Sequence, residues 1–280
     1  MTEPRTSPDS RLEPAPAPEP ASEPPLYGLT VDAVTHQGCV RSRNEDAVTV
    51  GGWRPHLGGS VAQVRLGPGS AQFVAVADGM GGHPAGDEAS RLVLDVLEAN
   101  GHRTSGQELV QLIEEMNLAL HTYAAGHPYA AGAGTTLAGL ALHARTAWVF
   151  NVGDSPVYRL TESFLGLLSV DDRAPRMPGQ PADSPTRALS QCLGGTSTPA
   201  RIRPHVHPEP VHPGDRFLVC SDGLTDVLDT ARIGQLAAPG GPEAVTGLLE
   251  AALAAGAPDN VSIALVEVDG VLTDPGRRAW

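Results

Sequence analysis

The sequence predicts an α+β domain built on largely antiparallel sheet, and three observations lead there. Apolar β-type segments at 71–77, 135–143, 146–152, 156–160, 164–170, 216–220 and 261–268 are separated by turn residues such as "NVGDSP" and "HPGDR", and several lie close enough to form hairpins. Two helical patterns follow one another before the run of close strands, unlike the β-α-β-α alternation of a doubly wound parallel sheet. The 280 residues, 41% of them hydrophobic, can bury a sizeable core.

Taken in order, residues 1–25 hold eight prolines among Ala, Ser and Glu. Such a composition buries too little apolar surface to offset chain entropy, so a disordered tail is expected. Residues 26–270 read as one domain and 271–280 as a short extension. The strand at 71–77 leads through Asp78 into a helix beginning near Asp87, in which Ala89, Leu92, Val93, Val96 and Leu97 share a face. Leu109, Leu112, Ile113, Met116 and Leu120 form the next helical stripe. The close strands between 135 and 170 follow. The Pro-rich patch around 175–185 is short enough to be a loop. A third helix is expected over 242–255 through Val245, Leu248, Leu249 and Leu253, ahead of the last strand.

Composition excludes several chemistries. A net charge of -13 argues against a nucleic-acid partner, which needs a basic surface. All 19 basic residues are arginine, so Schiff-base chemistry and a P-loop lysine are ruled out. Cys39, Cys192 and Cys220 form no C-x-x-C pair, which argues against a disulfide framework or a thiolate zinc site; each is expected to be a small buried apolar residue. With neither an apolar run of about 18 residues nor a signal pattern, no membrane association and a cytoplasmic location are expected.

Four aspartates recur where an apolar strand meets a turn, in "RSRNEDAVTV", "VAVADGMGG", "FLVCSDGLTD" and "GAPDNVSIALVEV": Asp46, Asp78, Asp222 and Asp259. Each alone is ordinary turn chemistry. If strand ends converge at one edge of a layered sheet, four carboxylates meet there, at high cost unless cations neutralise them. Oxygen-only donors favour Mg²⁺ or Mn²⁺ over zinc, and two divalent ions balance four aspartates. A pair of such ions supplies what phosphoryl hydrolysis needs. His205, His207 and His212 are a rival metal set, but the prolines around them point to a solvated edge segment instead.

These segments resemble the metal-dependent Ser/Thr protein phosphatases of the PP2C (PPM) family in its bacterial form. "GCVRSRNEDA", "VAVADGMGGHPAGDEAS", "GAGTTLAGLAL", "VFNVGDSPVYRL", "TRALSQCLGG", "GDRFLVCSDGLTDVL" and "APDNVSIALVEV" stand in the family's order over about residues 27–268. The resemblance implies an α-β-β-α sandwich of two mainly antiparallel sheets flanked by helices. It implies hydrolysis of phosphoserine and phosphothreonine by direct attack of a metal-bridging hydroxide. Asp46, Asp78, the Gly79 carbonyl, Asp222 and Asp259 would hold two Mn²⁺ or Mg²⁺ ions, and Arg41 would hold the substrate phosphate. Asp154 would share a third, weaker ion with Asp222, while Glu45 and Asn260 would orient ligands from behind. Phosphorylated proteins would be substrates, an opposing Ser/Thr kinase a partner, and the chain a monomer. Other readings are a phosphoprotein-binding pseudophosphatase, whose signature would be lost carboxylates, and a phosphatase of a small phosphate ester.

The sequence departs from the resembled pattern at four places. Pro156 stands where the middle motif usually has arginine, which removes a cation and a backbone donor beside Asp154. Asp172 replaces a histidine common among relatives and receives no catalytic duty. Met80 stands where animal relatives carry a histidine proposed as general acid; His83 is expected to support its loop. The region between Asp172 and Arg187, where the family has its flap, is short.

Overall fold

The computed structural model describes residues 27–55, 59–67, 72–80, 85–103, 105–143, 145–175 and 188–271. The expected N-terminal tail, the extension beyond residue 271, most of the short flap region, and Gly81, Gly82 and His83 lie outside the described residues.

Among the described residues, thirteen strands form two antiparallel sheets. The first runs in the order β3 (Ala62–Leu66), β1 (Tyr27–His36), β13 (Val261–Val271), β12 (Arg216–Cys220), β8 (Val157–Thr161), β9 (Phe164–Leu167). The second runs β10 (Leu193–Gly194), β5 (Gly134–Thr135), β4 (Phe73–Met80), β6 (Leu137–His143), β7 (Thr146–Val152), β11 (His205–Pro210), with β2 (Asp46–Val50) also paired to β4. Helices α1 (Ala85–Ala99) and α2 (Gly106–Gly126) cover one outer face; α3 (Asp222–Thr225), α4 (Thr230–Ala237) and α5 (Gly241–Ala254) cover the other.

The two-residue side-chain period of the strands builds three apolar layers. In β4, Phe73, Ala75 and Ala77 point out to α1 and α2 while Val74 and Val76 point in. In β12, Phe217 and Val219 point in while Leu218 and Cys220 meet α4 and α5. The inner layer joins both sheets through Val31, Val48, Val76, Val149, Val219 and Val266. This is the four-layer α-β-β-α sandwich. Helix α2 starts on a reciprocal cap in which Ser105 Oγ accepts from Glu108 N and Glu108 Oε2 accepts from Ser105 N.

Strands β1 and β3 lie outside the segments read as strands, while β11 is the edge that the prolines pointed to. In β1, buried polar residues interrupt the apolar pattern, and each has a partner: Thr30 Oγ1 donates to Asp269, and Asp32 accepts from Gln63. Strand β3 is half-exposed and alternates with Gln63 and Arg65. In β11, Pro208 and Pro210 are tolerated because the strand is an edge, bonded among the described residues only to β7. Cys220 is buried as expected, whereas Cys39 is exposed on the loop after β1.

The same period positions the site. Following Val76 on β4, Val48 on β2, Val219 on β12 and Ala264 on β13, the next inward positions at one end of the sandwich are Asp78, Asp46, Ser221 and Ser262. Polar groups thus replace the apolar inner layer where the sheets open into a cleft.

Candidate metal centre

Asp46 and Asp78 face each other across the antiparallel β2–β4 pair, a placement in which like charges are destabilising. Asp46 is buried; its Oδ2 accepts from Ser221 Oγ at 2.8 Å. The backbone of Asp78 is gripped by two threonines of "GAGTTLAGLAL": Asp78 N donates to Thr136 Oγ1 at 3.1 Å, and Asp78 O accepts from Thr135 Oγ1 and Thr136 N, both at 2.9 Å. Thr136 Oγ1 is itself 2.7 Å from Ser155 Oγ, next to Asp154. Gly79 donates its N–H to Glu45 O at 3.2 Å, and a Cβ there would collide with the carbonyl oxygens of Glu45 and Gly86. Glycine at position 79 therefore answers to close backbone packing at the start of α1.

Asp222 opens α3, and Asp259 precedes β13. Arg41 Nη2 lies 2.6 Å from Asp259 Oδ2, with the guanidinium about half exposed to the cleft. Asn260 ties this region together: its Oδ1 accepts from Glu45 N, and its Nδ2 donates to Gln37 O and Arg43 O, all at 2.8 Å. The loop carrying Arg41 is thereby stapled to the strand that follows Asp259. The Glu45 carboxylate rests against Gly86 in the first turn of α1, where a negative charge is favoured.

Asp154 belongs to the same cleft but is engaged: Arg173 Nε donates to its Oδ2 at 3.0 Å. Asp172 is buried and structural. Its carboxylate accepts from Gly153 N and Gln191 Nε2 and pairs with His205 Nε2 at 2.9 Å. His205 of the rejected histidine set thus has a partner other than a metal.

The predicted site residues Arg41, Asp78, Gly79, Asp154, Asp222 and Asp259 all line one cleft of about 590 Å³, with Asp46 directly behind Asp78. Met80 lines it as well, and its opposite wall includes Ser190, Gln191 and Cys192. Sequence reasoning did not single out Ser221, Thr136, Arg173 or Asp226. Ser221, Thr136 and Asp226 stand inside motifs already quoted; Arg173 does not, and it meets Asp226 only because separate loops converge.

Charge accumulates here. Burial, followed by the neighbouring Asp46, Asp222, Asp259 and Asp154, holds the Asp78 carboxyl well above the usual range. Burial lifts Asp46 to about 6, against the Ser221 hydrogen bond. Burial and then Asp154 and Asp226 lift Asp222 to about 7. Asp46 Oδ1 is buried with no hydrogen-bond partner among the described residues. No three His, Cys, Asp or Glu side chains among those residues close on one point as a preset cage, and Arg41 and Arg173 hold Asp259 and Asp154 as ion pairs. Even so, an unpartnered buried carboxylate oxygen, facing aspartates and an all-oxygen donor set fit hard divalent cations.

An α-β-β-α sandwich with a carboxylate cleft between its sheet ends defines the class. A family model described as Protein phosphatase 2C matches residues 61–253, and the chain belongs to that family. It is 30% identical over 253 residues to the serine/threonine protein phosphatase PstP of Mycobacterium tuberculosis, an alignment covering 86% of this chain and 45% of PstP. It is 30% identical over 226 residues to the serine/threonine phosphatase stp of Listeria monocytogenes, covering 74% of this chain and 88% of that protein. The chain thus spans less than half of the first relative's length. The crystal structure of the M. tuberculosis phosphatase superposes with a TM-score of 0.71 at 28% identity, covering 86% of this chain and 99% of that one. The PstP catalytic domain in complex with two manganese ions superposes at 0.70 and 28%, covering 87% and 99%.

Proposed function

We propose that residues 26–270 form a metal-dependent protein serine/threonine phosphatase domain. The observation that carries this reading is the convergence of Asp46, Asp78, Asp222 and Asp259, one of them with an unpartnered buried oxygen, beside the half-exposed guanidinium of Arg41. The two manganese ions of the PstP complex support the same reading.

Asp46, Asp78, the Gly79 carbonyl, Asp222 and Asp259 would hold two Mn²⁺ or Mg²⁺ ions. When bound, these ions supply an acidified water as nucleophile and positive charge against the phosphoryl oxygens. Ser221 orients Asp46, Thr135 and Thr136 fix the Asp78 backbone, and Asn260 sets the loop from which Arg41 reaches the phosphate. Arg41's planar fork suits two phosphate oxygens. Lysine is absent, and burial pushes the Cys192 thiol in the cleft wall upward, away from thiolate, so the cleft offers neither an amine nor a thiolate as nucleophile. Attack by water with direct release of phosphate is the route that the family resemblance implies, and the carboxylate set able to hold paired divalent ions supports it. Met80 holds no transferable proton, so the proton for the leaving oxygen does not come from that position.

The substrates are phosphorylated proteins, with a Ser/Thr kinase of opposite action as the implied partner. Among the described residues no helix is long and apolar enough to cross a membrane; we read the chain as a cytoplasmic monomer. The scaffold alternative finds no support, since every carboxylate it would have lost is present.

The test is phosphate release from an aryl phosphate and from phosphothreonine peptides by purified protein. Release is expected only with added Mn²⁺ or Mg²⁺, and Asp222→Asn is expected to lower it at least about 100-fold, since even the outer partners of metal ligands cost 10- to 100-fold. Full turnover in excess chelator, or by Asp222→Asn, would sink the proposal.

A further inference from the structure

Beside this cleft, Arg173 is the described basic side chain with the most carboxylates around it. Its Nε lies 3.0 Å from Asp154 Oδ2 and 3.8 Å from Asp171 Oδ2; its Nη2 lies 3.3 Å from Asp226 Oδ1 and 4.0 Å from Asp222 Oδ2. The guanidinium therefore stands between Asp154 and Asp222, the two carboxylates that the sequence resemblance assigns to a third metal ion.

The position is built from several sides. Arg173 pairs with Leu189 in an isolated antiparallel bridge, and Ala174 N donates to Ala188 O at 2.7 Å. Arg173 N donates to Asp171 Oδ1 at 3.0 Å. The preceding residue, Asp172, exchanges backbone and side-chain bonds with Gly153: Asp172 N donates to Gly153 O at 3.1 Å and Asp172 Oδ2 accepts from Gly153 N at 2.9 Å. Gln191 and His205 hold the same carboxylate. The base of Arg173 is thus fixed beside the loop carrying Asp154, so its side chain is directed into the acidic cluster. That loop has no cation of its own, Pro156 standing where the resembled motif has arginine.

A divalent ion between Asp154 and Asp222 would have to displace Arg173 from Asp154, whose side chain is only 6% exposed, or stand against its positive charge. Arg41 pairs with a single carboxylate of the two-ion set, whereas Arg173 lies within 4.0 Å of Asp154, Asp171, Asp222 and Asp226 together, so the site does not fit a third ion as it fits the first two. We infer that Arg173 serves as a resident cation in place of a third metal, so that this chain holds two divalent ions and neutralises Asp154 and Asp226 through its own guanidinium. Arg173 is then a positioning residue: it fixes the carboxylates behind Asp222 without exchange with solvent ions.

This rests on the two-metal reading above, and metal counting separates the two. The full chain is dialysed to equilibrium against Mn²⁺ at rising concentration, and bound Mn²⁺ is measured by elemental analysis. Two ions per chain are expected at saturation for the unaltered protein and for Arg173→Lys, which keeps the charge. Three are expected for Arg173→Ala, falling back to two when Asp154→Asn is added. Arg173→Gln, neutral and of similar reach, gives the same expectation of three should the alanine variant not fold. Three ions on the unaltered protein, or two on both neutral variants, would overturn the inference and leave the two-metal reading standing. No bound Mn²⁺ on the unaltered protein would overturn both.

Discussion

Asn260 offers a quantitative check on how the site is held. Its buried side chain makes three hydrogen bonds at 2.8 Å to the backbone of Gln37, Arg43 and Glu45, and no other side chain among the described residues bonds all three. Replacing it by alanine removes all three bonds at about 1 kcal/mol each, or about 3 kcal/mol in total. For a chain of this size that corresponds to a fall in melting temperature of roughly 6 to 12 °C. The freed loop carries Arg41 and leads into Asp46, so affinity for Mn²⁺ is expected to fall about 10- to 100-fold, as when the outer partners of metal ligands are lost. Calorimetric melting in chelator gives the first quantity and Mn²⁺ titration the second. A loss below about 1 kcal/mol, or unchanged Mn²⁺ affinity in the folded variant, would refute the idea that this one amide organises the loop.

Ser221→Ala removes the donor to Asp46 and leaves the buried Ser262 N–H without its partner. Urea unfolding is expected to show a loss of about 1–3 kcal/mol, and Mn²⁺ binding at pH 6 to 7 is expected to weaken because the Asp46 carboxyl rises further; unchanged binding would contradict the role given to Ser221. Because Asp46 and Asp222 lie at about 6 and about 7 when folded, against 3.8 for an ordinary Asp, the folded chain keeps protons that the unfolded chain has released. Without divalent ions, this contribution to stability is greatest at low pH and declines as pH rises from about 4 through 7. Mn²⁺ competes with those same protons, so the rise in melting temperature on adding Mn²⁺ is expected to be larger at pH 8 than at pH 5.5; equal shifts would contradict it.

Much of the fold was legible because apolar runs are strong signals. The segments that became β4, β7, β12 and β13 are nearly continuous stretches of Val, Ala, Leu, Ile and Phe, and α1 and α2 carry clear helical stripes. Strand β1 was not, since "YGLTVDAVTH" buries Thr30, Asp32 and Thr35, whose compensation comes from residues far along the chain. The carboxylates were legible as a set because each stands where an apolar run meets a turn, Asp78 and Asp222 at the end of one and Asp46 and Asp259 at the start. The alternation that places Val76 and Val48 inward also turns Asp78 and Asp46 inward. What sequence could not supply was the partnership of distant loops. Arg173 sits in an unremarkable "SVDDRA", and its meaning appears only when the chain returns to bring Asp154, Asp222 and Asp226 around it. Likewise, His205 looked like a solvated residue until β11 set it against Asp172.

The proposal that these carboxylates form the metal centre is tested most directly by crystals of the active protein soaked in Mn²⁺ and measured at the manganese absorption edge. Two anomalous peaks are expected, within coordination distance of Asp46, Asp78, Asp222 and Asp259. Manganese bound elsewhere, with these four carboxylates left uncoordinated in a protein that still releases phosphate, would contradict it.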